Sequence, residues 1–487
     1  MGTSQHQRPN LLFVSLEDLN DYVEPLGGHP QVKTPNITRL AARGALFPNT
    51  FAAAPACAPA RAAVLFGRMP WRTGLYTNKQ QWFHAFKPGQ DRSLIGVLRD
   101  SGFTTWGSGK MFYGGVNDAE WTNYFREPND PYTRQSVLQQ TGQIKAGMID
   151  YGPALSEGPL YDERNATHLK NKMTRGASGQ VWSLGIYRPH LPFIAPQRFF
   201  DLYPETVEPA PALKERLFDP FSSNEIEGLP REPRNRIVGA GMFGKKLYEN
   251  QQYNSFLRAY LASISYADWV LGSVLDHLEA EGLTETTYIV LWSDHGYQFG
   301  EKNTFHKFSL WERSLRTPMI FAGPDIPTMR IETPVSNVDV GPTLLGLLGV
   351  ARPQAFVDGQ DLRPLFQKME TSALPPVVSC YGFPRVKPPA ENGELLLAFS
   401  VRSATHRLVT YWNGGLELYD HTIDPYEQRN LANGPKYRSV PQDLNDIAHE
   451  LASYIPQDPA ATATPKKVPK KVPDGEGPFP HWVSSIG

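Results

Sequence analysis

The stretch "ACAPARAAVLFGR", Ala56 to Arg68, holds one of only two cysteines in 487 residues. Cys57 stands two residues before Pro59 and four before Arg61. Proline suits the first turn of a helix, where its missing N–H is not needed. A helix through "ARAAVLF" would face Cys57 with its positive end, and Arg61 would lie one turn along. Positive charge and a helix N-terminus both favour a thiolate, so the spacing fits an activated thiol. The sequence lacks the phosphate-loop pattern of a thiol phosphatase, in which glycines and a late arginine wrap the anion. The other cysteine, Cys380, reads as a small buried thiol. Two cysteines could make one bridge but no disulfide framework.

A second set of chemical residues sits where apolar runs end. "LLFVSLEDLND" places Glu17 and Asp18 just past one run, and "IVLWSDHG" places Asp294 and His295 past another. Open α/β sheets collect ligands at the carboxyl ends of their strands. Carboxylates that meet there repel unless a cation joins them. Oxygen-rich sites suit calcium, magnesium or manganese, and a histidine nitrogen tilts the choice toward manganese or zinc. Each pair alone also reads as solvated loop residues, or as a helix cap for Asp294. Taken together at two strand ends, they make a metal-site hypothesis.

The elements that must position these residues alternate along the chain. "LLFVS" reads as a strand, followed by a helix in "TPNITRLAARG". Val181–Tyr187, Thr287–Gly296 and Thr317–Gly323 read as buried strands. Tyr253 to Glu281 reads as a helix with apolar residues at Leu257, Leu261, Ile264, Leu271, Leu275 and Leu278. Val338–Val350 reads as a helix start and helix. This alternation predicts an α/β domain with a mixed, mainly parallel sheet flanked by helices, over residues 1–370. "LLLAFSVRS", "HRLVTYWNG", "LELYDHT" and a closing helix in "PQDLNDIAHELASYI" predict a smaller C-terminal α+β domain with an antiparallel sheet, over 371–455. The tail from 456 to 487 contains "PKKVPKKVP", which cannot build a core and is expected to be extended, with contact to a second subunit as one use.

The net charge of −1 gives no sign of nucleic acid or an anionic membrane as partner. No apolar run approaches the roughly 18 residues of a membrane span. The short run near the N-terminus leads into acidic residues and reads as a strand, not a signal peptide, so a cytoplasmic location is expected.

"CAPAR" has the form C-x-P-x-R, and with it the chain resembles the type I sulfatases of the alkaline phosphatase superfamily. The resemblance extends through "TPNITRLAARGALFPNTFAAAPACAPARAAVLFGRMP", "GSGKM", "YRPHLPF", "SDHGYQFGEKNTFHK" and "ELYDHTIDPYEQRNLA", in order, from Asn10 to Ala432. "SDHG", "PHLPF" and "LYTNKQQWFHA" are similar to the iduronate-2-sulfatase-like branch. The resemblance implies the alkaline-phosphatase-like α/β fold and a smaller C-terminal sheet domain. It also implies that Cys57 is a precursor, oxidised by a formylglycine-generating enzyme to an aldehyde. Hydrated, that aldehyde attacks sulfur with one hydroxyl and expels sulfate by collapse of the other.

By the same resemblance, Glu17, Asp18, Asp294, His295 and position 57 bind one divalent metal, calcium ahead of manganese. Relatives usually carry Asp where Glu17 stands. Arg61 would orient the diol. Lys110 and Lys307 would meet the sulfate oxygens. His190 would contact sulfate or protonate the leaving oxygen. Asn78, Trp82 and His84 resemble pocket residues, though Trp82 reads equally as core. Asp339 and Asp424 read as structural. Tyr113 stands where the family pattern has histidine. Its reference pKa is about 10, against about 6.5 for histidine. Lowered by Lys110 and the metal, it would hydrogen-bond the diol and activity would rise toward alkaline pH. The substrate is expected to be an aryl or sugar sulfate, a small molecule. A phosphonate monoester or phosphodiester hydrolase and an inactive anion-binding homologue are the alternatives. Specificity is expected in Asn117–Lys172 and Leu213–Glu249.

Overall fold

The computed structural model describes residues 8–127, 151–154, 158–213, 229–367, 374–384, 395–432 and 442–456. Within the stretches expected to set specificity, residues 128–150, 155–157 and 214–228 lie outside these residues, as does the tail from 457. Nine strands form the main sheet: β1 (Asn10–Leu16), β2 (Gly44–Phe51), β3 (Thr104–Gly109), β4 (Asn123–Phe125), β5 (Gln180–Ile186), β6 (Thr287–Ser293), β7 (Arg316–Ala322), β8 (Met329–Arg330) and β9 (Val335–Ser336). Their order is β8-β2-β7-β6-β1-β5-β3-β4, with β9 also on β2. β7 runs antiparallel to β2 and β6, and every other pair is parallel. The sheet is mixed and mainly parallel.

β1 explains why its sequence is an unbroken apolar run. Leu12, Val14 and Leu16 enter the core on one face, and Leu11 and Phe13 enter the core on the other. A parallel strand covered on both faces has no solvent side to make polar. The helix Tyr253–Ala280 covers the first face, with Leu257, Leu261, Ile264, Leu271, Leu275 and Leu278 all buried. It ends at Gly282, whose φ of 68° suits glycine. The expected helix at Val338–Val350 is a 3-10 turn, Asn337–Asp339, continued by Val340–Leu347. None of the described helices is long and apolar enough to cross a membrane.

The C-terminal sheet is antiparallel: β10 (Val377–Pro384), β11 (Leu395–Arg402), β12 (His406–Tyr411) and β13 (Leu416–Asp420), in that order. Val401, Leu408 and Leu418 face the helix Gln442–Ala452 through Ala448 and Leu451. Ala398, Val409 and Tyr411 face the other way, onto Phe51, Ala52 and Ala56 of the main body. Thus the smaller sheet packs directly behind the Cys57 loop.

A buried ion network sits beside that contact. Arg407 bonds Glu312 and Glu427, each at 2.5 Å, Arg402 bonds Glu312 at 3.2 Å, and His421 lies 3.0 Å from Glu427. Burial alone would raise both carboxyls, but Arg402, Arg407 and His421 outweigh it and hold Glu312 and Glu427 below the usual carboxylate range. A folded pKa below the unfolded one gives stability that is complete above the unfolded value and lost as pH falls below it. We therefore expect Glu312 to contribute stability that is complete above about pH 4.5 and is lost progressively as the pH falls from there through its lowered folded value. Urea unfolding at stepped pH should show an acid slope that is shallower in Glu312→Gln. Equal slopes in parent and variant would contradict it.

Candidate active site

Four adjacent parallel strands deliver the polar residues. Glu17 and Asp18 follow β1, Lys110 follows β3, His190 follows β5, and Asp294 and His295 follow β6. Register aligns these ends, with Leu16 opposite Ser293 and Gly109 opposite Gly185. Gly109 has a φ of 74°, and a Cβ there would stand 2.1 Å from Gly185 O. That close approach is what lets Lys110 reach across to Glu17, to which its ammonium donates.

Cys57 follows β2, whose direction matches that of β1 and β6, and is the first residue of the helix Cys57–Phe66. Every residue of this helix is buried, so its alanines let the backbone pack close. The Ala58 N–H donates to Asn78 Oδ1 at 2.9 Å, which caps the helix and brings Asn78 Nδ2 to 3.8 Å from Cys57 Sγ. Lys307 Nζ lies 3.2 Å and His295 Nε2 3.3 Å from the same sulfur. Lys307 also donates to Asp18 at 2.6 Å. His295 Nε2 stands 3.4 Å from Asp18 and 3.8 Å from Asp294. His190 Nε2 stands 3.8 Å from Glu17 and 3.9 Å from Asp18. The structure thus brings Glu17, Asp18, Cys57, Asn78, Lys110, His190, Asp294, His295 and Lys307 to one place.

Arg61 belongs to the same buried core. Its guanidinium donates to Asp294 Oδ2 at 3.0 Å, Ser15 Oγ at 3.2 Å, and the carbonyls of Lys110 at 2.6 Å, Leu16 at 3.3 Å and Met111 at 3.4 Å. Those bonds go to strand ends and to Asp294, so the role read from this geometry is to hold the site together.

Burial dominates the titration of the cluster. It pushes the Cys57 thiol up, against the pull of Lys307 and Lys110. Asp18 is raised to about 7 by burial, despite Lys307, with Glu17 and Asp294 adding repulsion. His295 is lowered to about 4, chiefly by burial, and is neutral. His190 is lowered by burial and by Lys307 and Lys110, which favours a neutral ring that hydrogen-bonds over one that donates a proton as an acid. Lys307 stays charged because Asp18, Cys57, Glu17 and Asp294 outweigh its burial.

Tyr113 corrects one expectation. Its ring centroid lies 5.3 Å from Lys110 Nζ, at the edge of the site. Its hydroxyl is pushed up, by burial first and by Cys57 second, and Lys307 does not compensate. The protein's own groups therefore favour the neutral phenol over the phenolate character expected from the sequence. Trp82 is core: its ring stacks on Phe66 and its N–H donates to Gly115 O at 2.6 Å. His84 is turned into its own loop, where Nδ1 accepts from the Gln81 N–H at 3.0 Å. It is not among the residues that meet at Cys57. Asp339 and Asp424 accept backbone N–H groups of neighbouring turns, a structural role. Both cysteines are free and buried.

The family described as "Sulfatase" matches residues 9–350, and "N-sulphoglucosamine sulphohydrolase, C-terminal" matches 300–453. A sulfatase of Formosa agariphila is 30% identical over 462 residues, covering 90% of this chain and 86% of that protein. The chain belongs to the sulfatase family. It is also similar to the choline-sulfatase of Rhizobium meliloti, 27% identical over 88% of this chain and 83% of that protein. The iduronate 2-sulfatase of Mus musculus is 26% identical over 91% of this chain and 94% of that protein. Among solved structures, the phosphonate monoester hydrolase of Agrobacterium radiobacter superposes with a TM-score of 0.72, at 19% identity over 92% of this chain and 94% of that one. A structure in complex with its substrate D-glucosamine-2-N,6-O-disulfate superposes with a TM-score of 0.67, at 19% identity over 96% of this chain and 100% of that one. The fold is alkaline-phosphatase-like, and this sulfatase is a sulfuric ester hydrolase.

The family implies a divalent metal site, and the donors of this sulfatase fit one. Ligand atoms of Glu17, Asp18, Cys57 and His190 lie within 4.8 Å of one another, as do those of Asp18, Cys57, Asp294 and His295. Glu17 Oε2 is buried, and among the described residues nothing hydrogen-bonds it. A carboxylate oxygen left in this way is costly unless a cation takes it. Two neighbours were not read from the sequence. Tyr187 places its hydroxyl 2.8 Å from His190 Nδ1. Asn337 accepts the Ala53 N–H at 3.2 Å and donates to Asp294 O at 3.2 Å, tying the Cys57 loop to the metal side. No motif spacing marks Asn337, which acts through a fold contact, whereas Tyr187 opens the "YRPHLPF" block three residues before His190.

Proposed function

We propose that this sulfatase hydrolyses an aryl or sugar sulfate monoester through formylglycine made from Cys57 by a formylglycine-generating enzyme. One divalent cation, calcium ahead of manganese, would be held by Glu17, Asp18, Asp294 and His295. The observation that carries the reading is the setting of Cys57. Its sulfur stands within 3.3 Å of Lys307 and His295, yet burial pushes its thiol up. A thiol so disfavoured as a thiolate makes a poor nucleophile and a well-placed precursor. Formylglycine at this position supplies, as its hydrate, two hydroxyls on one carbon. A bound cation lowers the pKa of an attacking oxygen and neutralises a sulfate oxygen.

The chain's own groups do the rest. Lys110 and Lys307 hold the anion from two sides with fixed positive charge. Neutral His190 hydrogen-bonds at the mouth of the site, oriented by Tyr187. Asn78 keeps the cysteine helix registered against its loop. Two measurements test the reading together: the mass of the position-57 peptide from native protein, and turnover of an aryl sulfate, a phenylphosphonate monoester and a phosphodiester. An aldehyde mass with the sulfate turned over fastest is expected. An unmodified cysteine with no turnover of any of the three would favour an anion-binding homologue. Faster phosphonate turnover would favour the phosphonate reading.

A further inference from the structure

Lys307 reaches Cys57 and Asp18 from a turn that local preference does not hold. Lys302, Asn303, His306 and Phe308 have φ of 54°, 54°, 67° and 75°, and Gly300 has 108°. Four non-glycine residues in the left-handed region persist only where surrounding structure over-determines them. The C-terminal sheet and the turn segment after it supply much of that structure. Lys302 Nζ donates to Tyr419 Oη at 2.9 Å and to Glu427 O at 2.6 Å. It also lies 4.3 Å from the Trp311 ring centroid and 4.5 Å from that of Tyr419. Glu427 is itself left-handed, with φ of 57°. Beyond Lys307, the Trp311 indole donates to Glu417 at 2.8 Å and the Glu312 N–H to Glu427 at 2.8 Å. Between these anchors the Phe308 N–H donates to Pro55 O at 3.1 Å, two residues before Cys57. Lys302 is buried, and its charge is met by a carbonyl, a hydroxyl and two ring faces rather than by the active site.

We infer that Lys302 is a positioning residue for Lys307, acting by docking the Gly300–Phe308 turn onto Tyr419 of the C-terminal sheet and Glu427 of the turn segment that follows it. The inference rests on the reading of Lys307 as a sulfate-binding group. The smaller sheet is then part of the catalytic apparatus, although among the described residues it gives none to the Cys57 cluster. A lysine suits the task because three donors on a compact ammonium can meet a hydroxyl and a carbonyl at once.

Lys302→Met keeps the apolar stem and removes the donors. Amide hydrogen exchange across residues 300–308 should quicken, with protection of β1 and β6 unchanged. In the same preparation kcat/KM per folded molecule should fall by about tenfold or more, since misplacing a catalytic group by about 1 Å can cost about a hundredfold. Lys302→Arg, which keeps the charge and donors, should recover part of the loss. If Lys302→Met does not fold, Tyr419→Phe carries the test, because it removes the hydroxyl and keeps the ring. Unchanged exchange at 300–308 in the folded variant overturns the inference. So does a loosened turn with the parent's kcat/KM, which would make Lys302 structural only. If the parent turns over no sulfate ester, the functional reading fails on that result, and the exchange measurement still decides whether Lys302 docks the turn.

Discussion

Cys57→Ser should fold like the parent and lose multiple turnover of sulfate esters by more than about a thousandfold, roughly 4 kcal/mol in the barrier. The site around position 57 accepts serine without strain, because sulfur and oxygen occupy the same place at the helix start and Asn78 still caps Ala58. What serine lacks is a second hydroxyl. If it attacks sulfur, it becomes a sulfated serine whose remaining bonds to carbon cannot expel sulfate. Release then needs water to attack a buried sulfate monoester that Lys110 and Lys307 hold as ground state. A single stoichiometric event per molecule is the most the variant should give, visible as a mass gain of one sulfo group on the position-57 peptide. Parent-like multiple turnover by the serine variant would remove the reason for a modified cysteine and sink the proposed chemistry.

Legibility of the sequence followed burial. β1 and β6 stood out because strands covered on both faces must be apolar throughout, and their polar ends then mark the edge of the core. The strand ends also gave Glu17, Asp18, Asp294 and His295 before any contact was known. β2 did not stand out. "GALFPNTF" carries Gly44, Pro48 and Asn49, residues that suggest a turn. In the fold the pairing with β7 shifts register between Thr317 and Met319, opposite that proline, so the irregularity absorbs the missing N–H. β10, "VVSCYGFP", was also hidden, since serine, glycine and proline dilute its pattern. Contacts from elsewhere make it a strand against the main body: Ser379 Oγ donates to Ala52 O at 2.7 Å and the Cys380 N–H to Ala53 O at 3.0 Å. Lys307 was legible only through its motif, because an isolated lysine in a strained turn has no periodic signature. His84 and Tyr113 show what spacing does not encode: the His84 ring is turned into its own loop, while Tyr113 stands beside Lys110 with a hydroxyl whose burial favours the neutral phenol.

Arg61→Met should cost about 3–5 kcal/mol of stability and disable the metal site together with the anion site. Arg61 is buried beside Asp294, and its guanidinium also meets Ser15 Oγ and the carbonyls of Leu16, Lys110 and Met111 at this end of the sheet. Methionine nearly fills the volume but leaves Asp294 Oδ2, Ser15 Oγ and the Lys110 carbonyl without the guanidinium donor, and the Leu16 carbonyl with only the Asp294 N–H at 3.4 Å. An uncompensated carboxylate in that setting would rise in pKa or drag its strand end outward. Either result weakens the ligand set, and loss of a group that orients a ligand typically lowers metal affinity by about ten- to a hundredfold. Arg61→Lys should not restore it. A lysine ammonium is a single point that can meet Asp294 or the carbonyls, whereas the planar guanidinium meets both at once. Denaturant unfolding and calcium titration of the two variants would show whether stability and affinity fall together. A methionine variant with the parent's unfolding midpoint and calcium affinity would mean that Asp294 is held by other contacts, and that Arg61 serves the reacting groups instead.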